Sequence, residues 1–523
     1  MHRVLRFQIQ QDEPEPLLPK DSVHQPLRTR PVFNRRVYRF LLLTLVLFAS
    51  LAALSNVVKL HRAIRVSPES TSADRDESPL PPLYEDYYMR EKQLPQHDPD
   101  LPYPEGRTGK YIAMENIVVL SGWGNAMQEL LLDAHVAYKS GRSFVFHPYT
   151  WNSDGSNYTK YGDHLIPSKV PLTAILSGPA AGSAFPESSQ PAPRAVVKSY
   201  FDEVCPHPTV ISTHNVTDYL PSEVHADVLV DAWIQKLNSI EDNCVLIDRY
   251  TSDHLFTFWI FGDASRILPI WPSLSASPII THFRWSSLVH HAFTANAHLF
   301  TSLPYPSLIP IPSIAYFPSE STSSDLLLRD AYDPSVPAKD IYTVIPGLLV
   351  VHIRKGDFVT HCTGLSNWGT TWNGMNRFPE FVDKFIPTSN ADGSEAPPDV
   401  RAHYFKHCLP SISQIVEKVA EVIQSSEGEG MKYVYVMTNG KTEWAEELKG
   451  ALRGMQGGMR WEKIATRRDL TLDWEQTFVS QAVDMVIGQR AQVFIGNGFS
   501  SLTSNIVMLR MANGFPPESN RFW

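Results

Sequence analysis

The sequence predicts a mixed α/β protein with a mostly parallel sheet, arranged in two lobes. Three observations lead there. Asn116–Leu120, the turn Ser121-Gly122-Trp123-Gly124-Asn125, an apolar-faced segment from Ala126 to Ser140, and Ser143–Phe146 read in turn as strand, glycine turn, helix and strand. Late in the chain strands and helices alternate again and reach a second glycine turn, Gly496-Asn497-Gly498-Phe499-Ser500-Ser501. Between them the apolar run Leu348-Leu349-Val350-Val351 stops at His352-Ile353-Arg354-Lys355-Gly356-Asp357-Phe358, a buried strand with a charged tip.

The chain has 523 residues, which at roughly 150 per domain implies two or three. A net charge of −9 argues against nucleic acid as the main partner. Its 41 prolines predict long irregular connections. None of the four cysteines forms a C-x-x-C pair, so no zinc site is indicated, and no metal is expected.

In chain order, residues 1–39 are polar and rich in Pro and Arg, a disordered cytosolic tail. Residues 40–58 are nearly all apolar, and such a run is just long enough to span a hydrocarbon core of roughly 30 Å. Arg28, Arg30, Arg35, Arg36 and Arg39 precede it, against Lys59, Arg62 and Arg65 after it. That bias places the N-terminus in the cytosol and makes the chain a single-pass type II membrane protein. Residues 59–108, rich in Pro, Ser and acidic residues, read as a stem. Sequons at Asn157 and Asn215 are compatible with a lumenal body. In an oxidising lumen the cysteines pair, most simply Cys205 with Cys244 and Cys362 with Cys408, although four cysteines allow three connectivities.

The first lobe spans 109–330. After its opening unit, 152–200 is mostly loop, and from 223 short helices and loops alternate with aromatic clusters that suit a core or an acceptor groove. The polar stretch Ser319 to Ala338 links it to the second lobe, 331–523. There 389–400 is a polar insertion and Ile412, Ile415, Val416, Val419, Val422 and Ile423 fall at helical spacing. Lys432–Met437 reads as a strand, Glu443–Ala451 and Glu475–Ile487 as helices, Ala491–Ile495 as a strand and Leu502–Met511 as a helix.

The chemistry gathers at the charged strand tip. His352 and Arg354 alternate, so they point the same way, and Gly356 lets the chain turn sharply. Ligands of open α/β sheets sit at the carboxyl ends of strands. The second glycine turn opens a helix, whose free N–H groups and dipole suit an anion. One cation and one helix N-terminus together can neutralise a diphosphate leaving group without a metal.

These residues carry a resemblance. His352-Ile353-Arg354-Lys355-Gly356-Asp357-Phe358 resembles the H-x-R-x-G-D-F strand end of the GDP-fucose protein O-fucosyltransferases. Gly122-Trp123-Gly124-Asn125 is similar to the N-terminal G-x-G-N turn of that family, and Phe494 to Thr503 resembles its F-x-G-N-x-x-S-S/T segment. The resemblance implies a GT-B-like fold of two Rossmann-like lobes, with the nucleotide held mainly by the second. It implies inverting, metal-independent transfer of fucose from GDP-fucose, a substrate and not a cofactor, to a Ser or Thr hydroxyl of a protein. Arg354 would meet the β-phosphate and leaving oxygen, His352 would help hold the nucleotide, and Asp484 would read the guanine edge. Ser500, Ser501 and Thr503 would bind phosphates, Gly122 and Gly124 would line the donor site, and Asn125 would sit near sugar and acceptor. One branch of the family places a Glu in the first turn as general base; Trp123 stands there instead, so the base is not identified, and Asp357 is the nearby carboxylate. A glycan acceptor, as in the related α-1,6-fucosyltransferases, and a catalytically silent membrane-anchored binding protein are the alternatives. An anchored enzyme of this kind belongs in the Golgi or ER membrane.

Overall fold

Two five-stranded sheets, parallel throughout, carry the body of the protein in a computed structural model that describes residues 79–189, 191–302, 333–388, 393–455 and 460–523. The first sheet contains β1 (Tyr111–Met114), β2 (Ser143–Phe146), β3 (Val196–Val197), β4 (Thr209–Ile211) and β5 (Cys244–Ile247), in the order β3-β2-β1-β5-β4. The second contains β6 (Ile345–Ile353), β7 (Tyr433–Thr438), β8 (Lys463–Thr466), β9 (Ala491–Gly496) and β10 (Asn520–Phe522), in the order β8-β7-β6-β9-β10. The mixed α/β, parallel-sheet class read from the sequence is therefore present.

Burial on both faces explains the apolar strands of the second sheet. Leu349, Val351 and Ile353 of β6 turn to one side. There they pack with Ile415, Val419 and Val422 of α3 (Ile412–Ile423) and Leu448 and Leu452 of α4 (Thr442–Arg453). Each such side chain contributes roughly 1.5–3 kcal/mol by leaving water. A capping box between Ser411 and Gln414 fixes where α3 begins. Leu348 and Val350 turn to the other side, towards the larger core, which includes α5 (Ser480–Gln489) and α6 (Ser501–Ala512). His352 follows Val350 on this second side, by the alternation of a strand.

Several expectations are corrected. The first strand is Tyr111–Met114, not Asn116–Leu120. Residues 116–118 are held by side chains instead of a ladder: Asn116 Nδ2 donates to Asp253 O (2.5 Å) and Val118 N–H donates to Glu129 Oε2 (2.6 Å). The stem expected to reach residue 108 ends earlier, because Pro81 to Trp523 form one unit. Helix α1 (Glu85–Lys92) is part of it: Tyr84 and Tyr87 are buried, and Glu91 Oε1 accepts from both the N–H and the hydroxyl of Thr173, each at 3.0 Å. The single helix expected over Glu475–Ile487 is two, Trp474–Phe478 and α5, separated at Val479. The insertion at 389–400 turns helical from Pro398, where a helix runs to Cys408.

Both disulfides join the sequence neighbours, Cys205 to Cys244 and Cys362 to Cys408. The tail at 1–39, the anchor at 40–58, the stem up to residue 78 and most of the link at 319–338 lie outside the described residues. Among the described residues no helix is long and apolar enough to cross a membrane.

Candidate active site

The order β8-β7-β6-β9-β10 reverses direction in the chain between β6 and β9, and the carboxyl ends of those two strands flank the resulting crevice. β6 ends at Ile353, so Arg354 emerges from one lip. β9 ends at Gly496, and the turn into α6 forms the other. The pairing of Val351 with Ile495 brings His352 level with Gly496.

His352 Nδ1 lies 2.8 Å from Thr503 Oγ1, which also accepts the Asn497 N–H at 3.2 Å. Either the ring or the Thr503 hydroxyl can donate in this pair, according to the imidazole tautomer. Burial first, then the charge of Arg354, lowers the imidazole to about 3. His352 is thus neutral at physiological pH. Thr503 contacts this ring through its hydroxyl, and its backbone N–H lies in the first turn of α6.

Arg354 packs its guanidinium over Phe358, 4.8 Å from the ring centre, and donates Nη2 to Asp357 Oδ2 at 2.6 Å. Its Nε is buried and has no partner among the described residues. Gly356, at a φ of 59°, makes the reversal that brings Asp357 back onto Arg354. The second oxygen of Asp357 accepts from Asn439 Nδ2 at 2.6 Å, while Asn439 Oδ1 accepts the Lys355 N–H at 2.8 Å. Through these bonds Asp357 orients Arg354. Asn439, in the Thr438-Asn439-Gly440 segment at the end of β7, is a site residue missed in the sequence; its signal was a polar side chain just after a strand adjacent to β6.

The α6 turn is fixed from several sides. Asn497 Nδ2 donates to Cys408 O (2.8 Å) and Asn376 Nδ2 donates to Gly498 O (2.8 Å). Ser500 is the N-cap residue of α6, yet its side chain makes no capping hydrogen bond, and the buried Ser504 hydroxyl has no partner among the described residues. The N–H groups of the first turn, from Ser501 to Thr503, have no acceptor within the helix. The crevice therefore joins a cation, a neutral imidazole, hydroxyls and a positive helix end.

The first glycine turn reaches this site from the other sheet. Gly122 is the N-cap of α2 (Trp123–Lys139), so Trp123, Gly124 and Asn125 are helical and the helix starts three residues before the expected Ala126. Gly124 lies directly against α6: a β-carbon on it would stand 2.7 Å from both Leu502 N and Ser501 Oγ. Asn505 Nδ2 donates to Gly124 O at 2.7 Å. Asn125 Nδ2 donates to Ser121 Oγ at 2.8 Å, in the same turn. Trp123 is buried against Tyr149, edge to face at 5.4 Å.

Asp484 stands apart from this group. It is buried on α5, where its Oδ1 accepts the Tyr435 hydroxyl at 2.6 Å. Tyr435 pairs with Val350, two residues and about 7 Å deeper in the sheet than His352. Burial raises the Asp484 carboxyl to about 6, against the opposing pull of Arg467 and the Tyr435 hydrogen bond. Among the described residues no group of three or more His, Cys, Asp or Glu side chains is placed to hold a metal ion.

No family model and no curated protein matches the chain. Solved structures do. Crystal structures of POFUT1 with GDP-fucose and with GDP are each 14% identical and cover 79% of this chain and 98% of theirs, at TM-scores of 0.45 and 0.43. A crystal structure of POFUT1 in its apo form is 12% identical over 79% of this chain and 97% of its own, at 0.41.

Proposed function

We propose that this chain is a GT-B-like glycosyltransferase that moves fucose from GDP-fucose to a hydroxyl, with inversion and without a metal, the acceptor being Ser or Thr of a protein. One observation carries the reading: Arg354, whose buried Nε has no partner among the described residues, shares a topological switch point with the N-terminus of α6. The diphosphate lies between them. Arg354 and the first-turn N–H groups take up the charge that develops on the leaving oxygen. His352 contributes its second ring nitrogen, Ser500 and Ser501 their hydroxyls, and Asn125 faces the sugar from the opposing sheet. Asp357 and Asn439 hold Arg354 in place before the donor arrives. The two disulfides suit an oxidising compartment, in keeping with a Golgi or ER lumenal body anchored through residues 40–58.

The test is a thermal shift with GDP, comparing the wild type with Arg354→Ala. GDP should stabilise the wild type, and the variant should lose about 10- to 100-fold in affinity, the worth of a charged hydrogen bond of roughly 1.5–3 kcal/mol. No stabilisation of the wild type, or equal stabilisation of the variant, overturns the reading. A screen of sugar nucleotides then tests the fucose assignment, and GDP release with peptide against oligosaccharide acceptors tests the acceptor.

A further inference from the structure

Every described residue with a positive φ is glycine except Tyr84 and Leu120. Side chains fit that region poorly, so a residue other than glycine there carries strain that something else must offset. For Tyr84 the offset is visible: it is 1% exposed, and its hydroxyl donates to Glu475 O at 2.7 Å. For Leu120, at a φ of 54°, it is not. Its side chain is 60% exposed. The bond that fixes its backbone, from Leu120 N–H to Trp151 O at 3.2 Å, would serve glycine equally. An aliphatic side chain is thus held out to solvent in a strained conformation that neither burial nor hydrogen bonding of that side chain accounts for.

Leu120 stands at the end of a row. Tyr161, 44% exposed, meets the ring of half-buried Trp151 edge to face at 5.2 Å. Tyr161 belongs to the hairpin of Tyr158–Tyr161 with His164–Pro167, where it pairs with His164, ring to ring at 5.9 Å. The row leads to the candidate site. Beside Leu120, Ser121 O accepts the Tyr149 hydroxyl at 2.8 Å, and Ser121 Oγ accepts from Asn125 Nδ2 at 2.8 Å. Gly124, in the same turn, lies against Ser501 and Leu502 of α6. Contacts and chain together therefore join the α6 turn, through Gly124, Asn125 and Ser121, to Leu120, Trp151 and Tyr161.

We propose that Leu120, Trp151 and Tyr161 form a docking face for the acceptor polypeptide, which seats an apolar side chain there beside its Ser or Thr; the proposal rests on the transfer reading above. Single exposed apolar side chains are ordinary on a protein surface. A strained one, in a row with two aromatic rings and next to the candidate donor turn, marks an interaction site. The residue types select the occupant. An aliphatic Leu offers a sugar ring neither a flat face nor a hydrogen bond, whereas Leu, Trp and Tyr together suit an aliphatic or aromatic peptide side chain. Leu120 leaves water only when such a side chain covers it, so its strain is offset in the complex and not in the free protein.

The experiment uses Ser/Thr peptides that differ only in the residue beside the hydroxyl (Leu, Phe, Asn or Asp), together with neutral oligosaccharides. GDP release from GDP-fucose is measured with each acceptor and with water alone, for wild type, Leu120→Gly, Tyr161→Ala and Leu165→Ala. The wild type should prefer Leu or Phe to Asn or Asp by about 10-fold or more in kcat/KM. Leu120→Gly and Tyr161→Ala should flatten that preference and raise the peptide KM about 10-fold, with kcat, KM for GDP-fucose and the rate in water unchanged. Leu165 pairs with Lys160 and so points to the opposite face of the hairpin from Tyr161; its Ala variant should behave as the wild type. Leu120→Gly should also leave the urea midpoint level or higher, because glycine relieves the strain. A lowered midpoint with kcat and KM lost together marks a structural role and overturns the face, as does an unaltered peptide preference. Should Leu120→Gly not fold, Leu120→Asn, whose short side chain tolerates the same φ, and Tyr161→Ala decide it. A wild type that hydrolyses GDP-fucose yet transfers to none of the peptides, or prefers polar neighbours or the oligosaccharides, overturns the docking face only. A wild type that releases no GDP with any acceptor or with water overturns the transfer reading and the face with it.

Discussion

Replacing Asp484 by Asn tests the electrostatics of the second lobe and the reading of its nucleotide site in one variant. Burial lifts the carboxyl from 3.8 to about 6, with Arg467 and the Tyr435 hydroxyl opposing it. That difference of roughly two units, at about 1.36 kcal/mol each, amounts to about 3 kcal/mol. The folded pKa is raised, so folding favours the protonated acid. The contribution is complete below the unfolded value of 3.8, declines as pH rises, and is gone above about 6, where the folded state bears the full cost of a buried carboxylate. Asn has the same shape, can accept the Tyr435 hydroxyl through its own oxygen, and does not titrate. Urea unfolding of both proteins should therefore show the stability of Asp484→Asn minus wild type climbing by about 3 kcal/mol between roughly pH 4 and pH 7, then levelling. Buried histidines such as His352 titrate in both proteins and cancel. A difference that is flat across that window, or that falls with pH, refutes the reasoning. If the carboxylate also reads the guanine edge, the stabilised variant binds GDP less tightly, a separation of stability from function that is common at binding sites.

Two further outcomes probe how the pieces are held. Gly124→Val should cost about 1–3 kcal/mol in urea unfolding and abolish GDP stabilisation, because its new β-carbon would stand 2.7 Å from Leu502 N, where backbone cannot yield; Gly450→Ala on α4, with open space around its α-carbon, should instead gain up to about 1 kcal/mol. Replacing Cys362 and Cys408 together by Ala should lower stability by about 4 kcal/mol, the loop-closure value for a separation of 46 residues, and an undiminished urea midpoint would show that the pair does not constrain the unfolded chain.

Three strands of the second sheet, β6, β7 and β9, were legible because they are longer and buried on both faces, as in Val350-Val351 and Val434-Tyr435-Val436, whereas β8 and β10, of four and three residues, were not read. The first sheet was read only in part. Ile117–Leu120 looks more apolar than Tyr111–Met114, yet the latter supplies the strand, since Tyr111 to Met114 pair with Cys244 to Ile247. That pairing is long-range, and β4 and β5 are short strands in which no period shows. In the candidate site, the residues grouped at one strand tip or one turn were visible: His352, Arg354, Ser500 and Ser501 all stand in local patterns. Those that fix them were not, because their partners are remote in sequence. Asn439 reaches Asp357 across 82 residues, and Asn505 reaches Gly124 across 381.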